Sequence, residues 1–388
     1  VADWYLPARD AALEVLPIVD HAMSARRRTP GRVTIVDVAH EAGVSVTTVS
    51  RVLRDHAEVH SETRATVRAA VDKLGYRPSL IARALVSGQT HLLVLLVSDV
   101  TNPFYPQLAK SIEHEAAKAG YMVVICNTED RVQETRRSLM WLLHQGVDGV
   151  IHASSGRDEA VVLSLLGDPR RVVFTNRPPK SQSVSYVVSD NAGGATALTR
   201  HLLAKGHRKI GFIGGPSYAR NATERLYAFT QAIREVPEAQ AFVAGGKFST
   251  TCGEQAVTEW LQSGCDLSAI IAINDSVALG AMGALMSFGY DIPGDIALAG
   301  FDGTDFAASP VMRLTTVDQH VDEMGRRAVK LLLKQLSDPG PFVPLSEVLP
   351  CRLLLRGSTE GGALTSSAKN GPYPLKRPLS AGAGSECV

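Results

Sequence analysis

The spacing of apolar and polar residues divides the chain into two regimes. Between residues 33 and 76 apolar side chains recur three and four positions apart, the period of helices packed on one side. Ile35, Val38 and Ala39 make a first stripe that runs to about Ala42; Val49, Val52 and Leu53 make a second; Val67, Ala70, Val71 and Leu74 make a third, over 61–74. Thr34 stands three residues before Asp37, the spacing of a capping box, with Asp in place of the usual Glu or Gln. Gly43 supplies the left-handed residue a tight turn needs, Ser45 is placed to cap the second helix, and Gly75 stops the third. The outward face of the second helix carries Val46, Thr47, Ser50 and Arg51. A plain surface hairpin would share the first two helices. The third helix closes a small core over them, which is the pattern of a helix-turn-helix.

From residue 91 the pattern changes to apolar runs of strand length alternating with amphipathic segments. It predicts strands at 92–97, 121–126, 149–152, 172–175, 186–189, 210–214, 241–244, 269–273 and 296–300, with a final strand at 348–354. Helices are predicted at 106–120, 131–145, 160–166, 191–205, 223–235, 251–263, 276–288 and 324–336. Repeated strand–helix units imply parallel sheets with right-handed crossovers. The strands are too many for one sheet, so the expected fold is an all-α helix-turn-helix headpiece followed by an α/β core of two doubly wound parallel lobes with a cleft between them.

Between the two regimes, Pro78 sits where a helix begins and 80–86 is one or two apolar helical turns, followed by the joint Ser87-Gly88-Gln89-Thr90. Residues after 357 are rich in Gly, Ser, Ala and Pro without apolar period and read as a disordered tail with no heptads for further assembly. The expected organisation is an extension at 1–32, disordered; a headpiece at 33–76; a hinge and linker at 77–90; a core at 91–358; and a tail at 359–388. Within the core, 91–190 and 316–338 are assigned to a first lobe, and 191–315 and 341–358 to a second.

Charge sharpens this division. The net charge of +1 over 388 residues conceals a stretch from 24 to 90 with eleven basic and six acidic residues, and a segment 1–23 with one Arg and four acids. Positive charge therefore coincides with the helix-turn-helix, as phosphate contact requires. The run Arg26, Arg27, Arg28 and Arg32 is read as an arm that reaches phosphates, with a solubilising tail as the alternative. Two readings of the start stand: Met23 as the true initiator, with 1–22 an over-long reading frame, or Val1 as a non-AUG start written literally. The five cysteines lie far apart with no C-x-x-C pair, which fits a reducing compartment and no metal site. No signal pattern is seen and the run 92–97 is too short to span a bilayer, so a cytoplasmic, nucleoid-associated protein is expected.

The motifs V-T-I-V-D-V-A-H-E-A-G-V-S-V-T-T-V-S-R-V-L from Val33 and V-D-K-L-G-Y-R-P-S-L-I-A-R-A-L from Val71 resemble the lac repressor family of bacterial transcription regulators. The core keeps the resemblance in order, with D-V-T-N-P-F-Y at 99–105, N-R-P at 176–178, S-D-N-A-G-G-A at 189–195, G-H-R-K-I-G-F-I-G-G-P at 206–216, A-I-N-D-S-V-A-L-G at 272–280 and L-T-T-V-D-Q at 314–319. The resemblance implies a homodimeric repressor on pseudo-palindromic operator DNA, controlled by a small effector, a sugar, in the core cleft, with no cofactor. It implies base reading by Val46, Thr47 and Arg51, where Arg51 suits guanine O6/N7 and Val46 a thymine methyl. It places Thr34, Ser45, Thr48, Arg54, Ser61 and Tyr76 against phosphates. It makes 80–86 a hinge helix in which Ala82, Arg83, Leu85 and Val86 enter the minor groove, Leu85 as the wedge between base steps. The effector positions it implies are Asn102, Phe104, Asn176, Arg177, Asp190, Arg220, Arg225, Phe248, Asn274 and Asp302. Acids, amides and guanidinium groups suit hydroxyls, while a Phe face packs on the C–H face of a ring. For Asp302 a turn brace, and for Asn274 a helix cap, are the alternatives.

Two other classes share part of this pattern. A solute-binding protein would share both lobes but needs export. An enzyme finds little support: G-F-I-G-G-P at 211–216 lacks the G-x-G-x-x-G spacing, Pro216 removes an N–H where phosphate would bind, and no G-x-S-x-G, H-E-x-x-H or metal-spaced cluster occurs.

Overall fold

The computed structural model describes residues 33–53, 56, 58–76, 89–154 and 156–360, in two compact units, one up to residue 79 and one from residue 80. In the first unit, α1 (Ile35–Glu41) starts on the expected capping box: the Thr34 amide donates to Asp37 Oδ2 at 2.8 Å, and the Asp37 amide to Thr34 Oγ1 at 3.4 Å. Aspartate is thus long enough to close the box. Gly43 turns the chain at φ +64°, and the Thr48 amide donates to Ser45 Oγ at 3.1 Å to open α2 (Val46–Leu53). The helix α3 (Ser61–Leu74) ends at left-handed Gly75. Val38, Val49, Val52 and Val67 meet as the buried centre of this unit, with Ala39, Ala70 and Tyr76 around them.

In the second unit the strands are β1 (Leu92–Val97), β2 (Met122–Asn127), β3 (Gly149–Ala153), β4 (Val172–Thr175), β5 (Ser185–Ser189), β6 (Lys209–Gly214), β7 (Gln240–Gly245), β8 (Ala269–Ala272), β9 (Ala297–Ala299), β10 (Thr316–Asp318), β11 (Ser346–Leu349) and β12 (Arg352–Leu354). Helices α4 (Phe104–Lys118), α5 (Val132–His144), α6 (Glu159–Leu166), α7 (Asn191–Ala204), α8 (Arg220–Arg234), α9 (Thr250–Gln262), α10 (Asp275–Ser287), α11 (Val321–Ser337) and α12 (Gly357–Glu360) alternate with them. One parallel sheet has the order β11-β5-β4-β3-β1-β2, and a second has β7-β6-β8-β9. Strand β1 shows why the runs are continuously apolar. Leu93, Leu95 and Val97 enter one buried layer, while Val94 and Leu96 enter the layer on the other face. The second sheet has its own core, centred on Phe212, Phe229, Ile271 and Leu298. Helices α9 and α10 approach at glycine: a Cβ on Gly253 would collide with the Val277 carbonyl, and one on Gly280 with the Thr250 carbonyl.

Three chain connections join the two sheets, at residues 190, 319–320 and 350–351, and they are laced together. The Asp190 amide donates to the Leu349 carbonyl at 2.8 Å, and Ser189 Oγ donates to the Gln319 carbonyl at 3.0 Å. This geometry corrects three sequence expectations. The segment 348–354 is two strands, because Pro350 has no N–H to continue a ladder and the chain changes sheets there. Strand β11 consequently pairs with β5 in the first sheet, although 341–358 was assigned to the second lobe. Strand β10, assigned to the first lobe, pairs antiparallel with β12, and its Val317 packs in the second core. Residues 359 and 360, expected in the tail, lie in α12, where Ser358 and Thr359 are buried against Leu298 and Thr315. Among the described residues no helix is long and apolar enough to cross a membrane.

Candidate functional site

The exposed side of α2 carries Val46, Thr47 and Arg51, as its apolar stripe requires. Thr34, Ser45 and Ser61 are exposed, each at or next to the start of a helix, where free backbone N–H groups favour anions; Thr48 is half-buried beside Ser45. Tyr76 is only 8% exposed and packs its ring in the core of the unit. Arg54, Ala82, Arg83, Leu85 and Val86 lie outside the described residues, as do 1–32 and 361–388.

In the second unit a cavity of about 530 Å3 opens at the carboxyl ends of the strands of both parallel sheets. This is where open α/β sheets place ligands, because successive loops diverge there. Asn102 and Phe104 follow β1, Asn176 and Arg177 follow β4, Phe248 follows β7, Asn274 follows β8, Asp302 follows β9, and Arg225 projects from α8; all line the cavity.

Arg225 is the most constrained of them. It is 2% exposed, donates through Nε to Asn191 Oδ1 at 2.9 Å and through Nη1 to the Ile273 carbonyl at 2.7 Å, and lies 3.6 Å over the Phe301 ring. Its Nη1 is 3.7 Å from Asp302 Oδ1, and its Nη2 is buried with no partner. Asp302 also accepts from Gln319 Nε2 at 2.6 Å. Burial pushes the Asp302 carboxyl well above the usual carboxylate range, against the pull of Arg225, and the neighbouring Asp275 adds to the rise. Asp275, fully buried beneath the wall and bonded by Thr304 and Thr316, is itself raised to about 6 by burial. The backbone is left-handed at Asn176 (φ +65°) and Asp302 (φ +126°), conformations that fixed surroundings must hold.

Opposite this group, Arg177 donates to Tyr105 Oη and to Asp130 Oδ1, both at 3.3 Å, and stacks 5.1 Å from the Phe248 ring. Burial raises the Tyr105 phenol, so it stays a neutral donor, here to Ser98 Oγ at 3.1 Å. The walls thus alternate fixed hydrogen-bonding groups with the aromatic faces of Phe104, Phe248 and Tyr218. That chemistry suits a compact, polyhydroxylated or heteroaromatic molecule.

Residues 34–79 match the family model of bacterial regulatory proteins, lacI family, and residues 199–359 match the periplasmic binding protein-like domain. The chain is 34% identical over 339 residues to the ribose operon repressor of Halalkalibacterium halodurans, covering 86% of this chain and 99% of that one. The chain belongs to the lacI family. The transcriptional regulator GalR of Escherichia coli is 34% identical over 337 residues, covering 86% of this chain and 98% of that one. The lac repressor dimer bound to operator and the anti-inducer ONPF superposes with a TM-score of 0.76 at 28% identity, covering 85% of this chain and 99% of that chain. The protein is a lacI-family DNA-binding transcription regulator.

Two of the cleft residues expected in this lacI-family chain stand elsewhere. Asp190 does not line the cavity; its carboxylate caps α7, accepting from the Gly193 amide at 2.8 Å, in one of the three connections between the sheets. Arg220 also lies off the wall, held by Glu224 at 3.1 Å and by the Pro179 carbonyl at 3.0 Å. Conversely, Tyr105, Asp130, Tyr218 and Asn221 line the cavity and were not foreseen. Tyr105 closes the N-P-F-Y motif already singled out, and Asp130 and Tyr218 sit in loops directly after strands; strand order was the signal that could have found them. Asn274 fills both of its alternatives: it lines the cavity and caps α10, accepting from the Val277 amide at 2.8 Å.

Proposed function

We propose that this regulator is a cytoplasmic homodimeric repressor whose operator affinity is set by a monosaccharide-sized sugar bound in the cleft between the two parallel sheets. The observation that carries the reading is the pairing of Arg225, Asp302, Asn274 and Asn176 with aromatic faces around one cavity of about 530 Å3. A pyranose or furanose offers hydroxyls to the first set and C–H faces to the second. The ribose operon repressor among its relatives supports the ligand class.

In this reading Val46, Thr47 and Arg51 meet base edges in the major groove, while Thr34, Ser45, Thr48 and Ser61 fix register on phosphates. Arg54 joins the phosphate set, and Ala82, Arg83, Leu85 and Val86 act in the minor groove, both on the strength of the sequence resemblance. The sugar controls the operator by binding one arrangement of the lobes more tightly than another; a useful switch needs a difference of a few kcal/mol. A role as a solute carrier leaves the headpiece without a purpose.

The test is fluorescence anisotropy on duplexes obtained by binding-site selection, across a salt series, with and without D-ribose and a panel of hexoses. A selected duplex should bind about a thousandfold or more above bulk DNA, and one sugar should shift that affinity at least several-fold. Equal affinity for selected and random DNA would end the regulatory reading; the lack of any shift across the sugars would end the effector class.

A further inference from the structure

The mouth of the cleft is bridged by side chains that belong to opposite lobes. Asp130, in the loop between β2 and α5, is held by Arg177 of its own lobe at 3.3 Å. Its other carboxylate oxygen, Oδ2, accepts from the Tyr218 hydroxyl at 3.1 Å, and Tyr218 comes from the loop after β6 in the second lobe. The Arg157 guanidinium, in the first lobe, lies 4.9 Å over the Tyr218 ring. Arg177 stacks on Phe248 of the second lobe, and Arg220 of the second lobe donates to the Pro179 carbonyl of the first. The loop that presents Asp130 is itself unusual: Glu129 and Asp130 are consecutive non-glycine residues with left-handed backbone, φ +51° and +55°. Such conformations persist where the surroundings over-determine them, and they cluster at binding sites.

We infer that Asp130 and Tyr218 form a clasp across the mouth of the cleft, and that they act as positioning residues that set how tightly the lobes close on the effector. The inference rests on the effector reading above. The physical argument is short. Rotating the lobes apart breaks the Tyr218–Asp130 hydrogen bond, the Arg177–Phe248 stack and the Arg220–Pro179 bond together. These are contacts of protein with protein, so they favour closure whatever the ligand. The apparent affinity of a ligand that needs the closed arrangement is its intrinsic affinity scaled by the closed fraction, so each contact at the mouth is felt as ligand affinity. The bond has a charged acceptor, which makes it stronger than a neutral pair, although its partial exposure weakens it.

Hydrogen exchange on the full-length protein without sugar tests the clasp directly. Tyr218→Phe, which keeps the ring and removes only the hydroxyl, is expected to deprotect the facing loop at 127–131 in the other lobe. Asp130→Ala is expected to deprotect 216–221 reciprocally. The double variant should exchange no faster at either loop than the more affected single variant, and Asp130→Asn, which keeps an acceptor oxygen, should retain most of the protection. A purely local role would deprotect only the loop that carries the substitution; that result, or additive effects in the double variant, overturns the inference. Titration with D-ribose and a hexose panel supplies the second arm: a sugar that binds should weaken by about three- to tenfold in either single variant and no further in the double. Failure of all these sugars to bind the unsubstituted protein would count against the effector reading, and the exchange result would still decide the clasp.

Discussion

Replacing Arg225 by Met probes the electrostatics at the centre of the cleft. Methionine approximates the length of the arginine stem, so the change removes the guanidinium without emptying the site. Two hydrogen bonds are lost, to Asn191 and to the Ile273 carbonyl, and Asp302 keeps its burial without its cationic neighbour. Breaking a buried pair by removing one partner costs about 3–5 kcal/mol. The 3.7 Å separation is long for an ion pair, and burial already disfavours the charged form of Arg225, so the lower end, about 3 kcal/mol, is expected near pH 8. The loss should depend on pH in a definite direction. Asp302 has a folded-state pKa above its unfolded value, so its burial costs nothing below the ordinary carboxylate range and is fully felt only above the raised folded value. Without Arg225 the folded value rises further, so the variant's deficit should be smaller at low pH than at high pH. Asp275, raised to about 6 in the parent, contributes to the rise at Asp302, so the two carboxyls respond together and Asp302→Asn alone is measured beside the double variant to isolate the Asp302 share. Urea unfolding of the full chain at pH 5.5 and pH 8.0 measures the two deficits, and Arg225→Met with Asp302→Asn should recover part of the loss at pH 8.0. Equal deficits at both pH values, or no recovery from Asp302→Asn, would refute the reasoning.

Other consequences are simpler to test. Arg51→Ala should relax base preference at one operator position by about 1–3 kcal/mol while leaving preference elsewhere intact; binding-site selection reads this, and a uniform loss across all sequences would mean that α2 does not face base edges. Thr34→Ala removes the side-chain half of the α1 capping box, and calorimetry of the headpiece transition should show about 1 kcal/mol of destabilisation. Gly280→Ala forces a methyl into the Thr250 carbonyl, so it should unsettle the second lobe by more than about 1–3 kcal/mol; wild-type stability would mean that α9 and α10 separate freely.

The headpiece was legible almost to the residue because its helix ends carry their own chemistry. Thr34 with Asp37, Gly43, Ser45 and Gly75 each fix a boundary through a local bond or a left-handed turn. The strands β1 and β4 were legible for a different reason: six apolar residues in a row, and three followed by a buried Thr, suit a strand buried on both faces. What failed depended on tertiary partners. Val348 and Leu353 have the same local character, yet they pair with different sheets, and only Pro350 between them hints at it. Asp190 and Arg220 carry the right functional groups for a sugar and spend them on a helix cap and a bond across the cleft. Asp130 and Tyr218 are nearly ninety residues apart, and nothing local announces that one accepts a hydrogen bond from the other. Residue type identified much of the cleft wall; the closure of its mouth is a property of loop geometry.

The laced connections have a mechanical consequence. Three straps lying side by side and tied by hydrogen bonds behave like the leaf of a door hinge, soft to bending about one axis and stiff to torsion and sliding. A single cord between the sheets would allow many orientations, and a ligand would have to select among them all. Here the tied straps leave bending about their common axis as the motion they oppose least. Under the effector reading proposed above, a ligand that changed that angle would move each lobe as a body, so a small molecule spanning a few ångströms would shift surfaces at the far ends of the sheets.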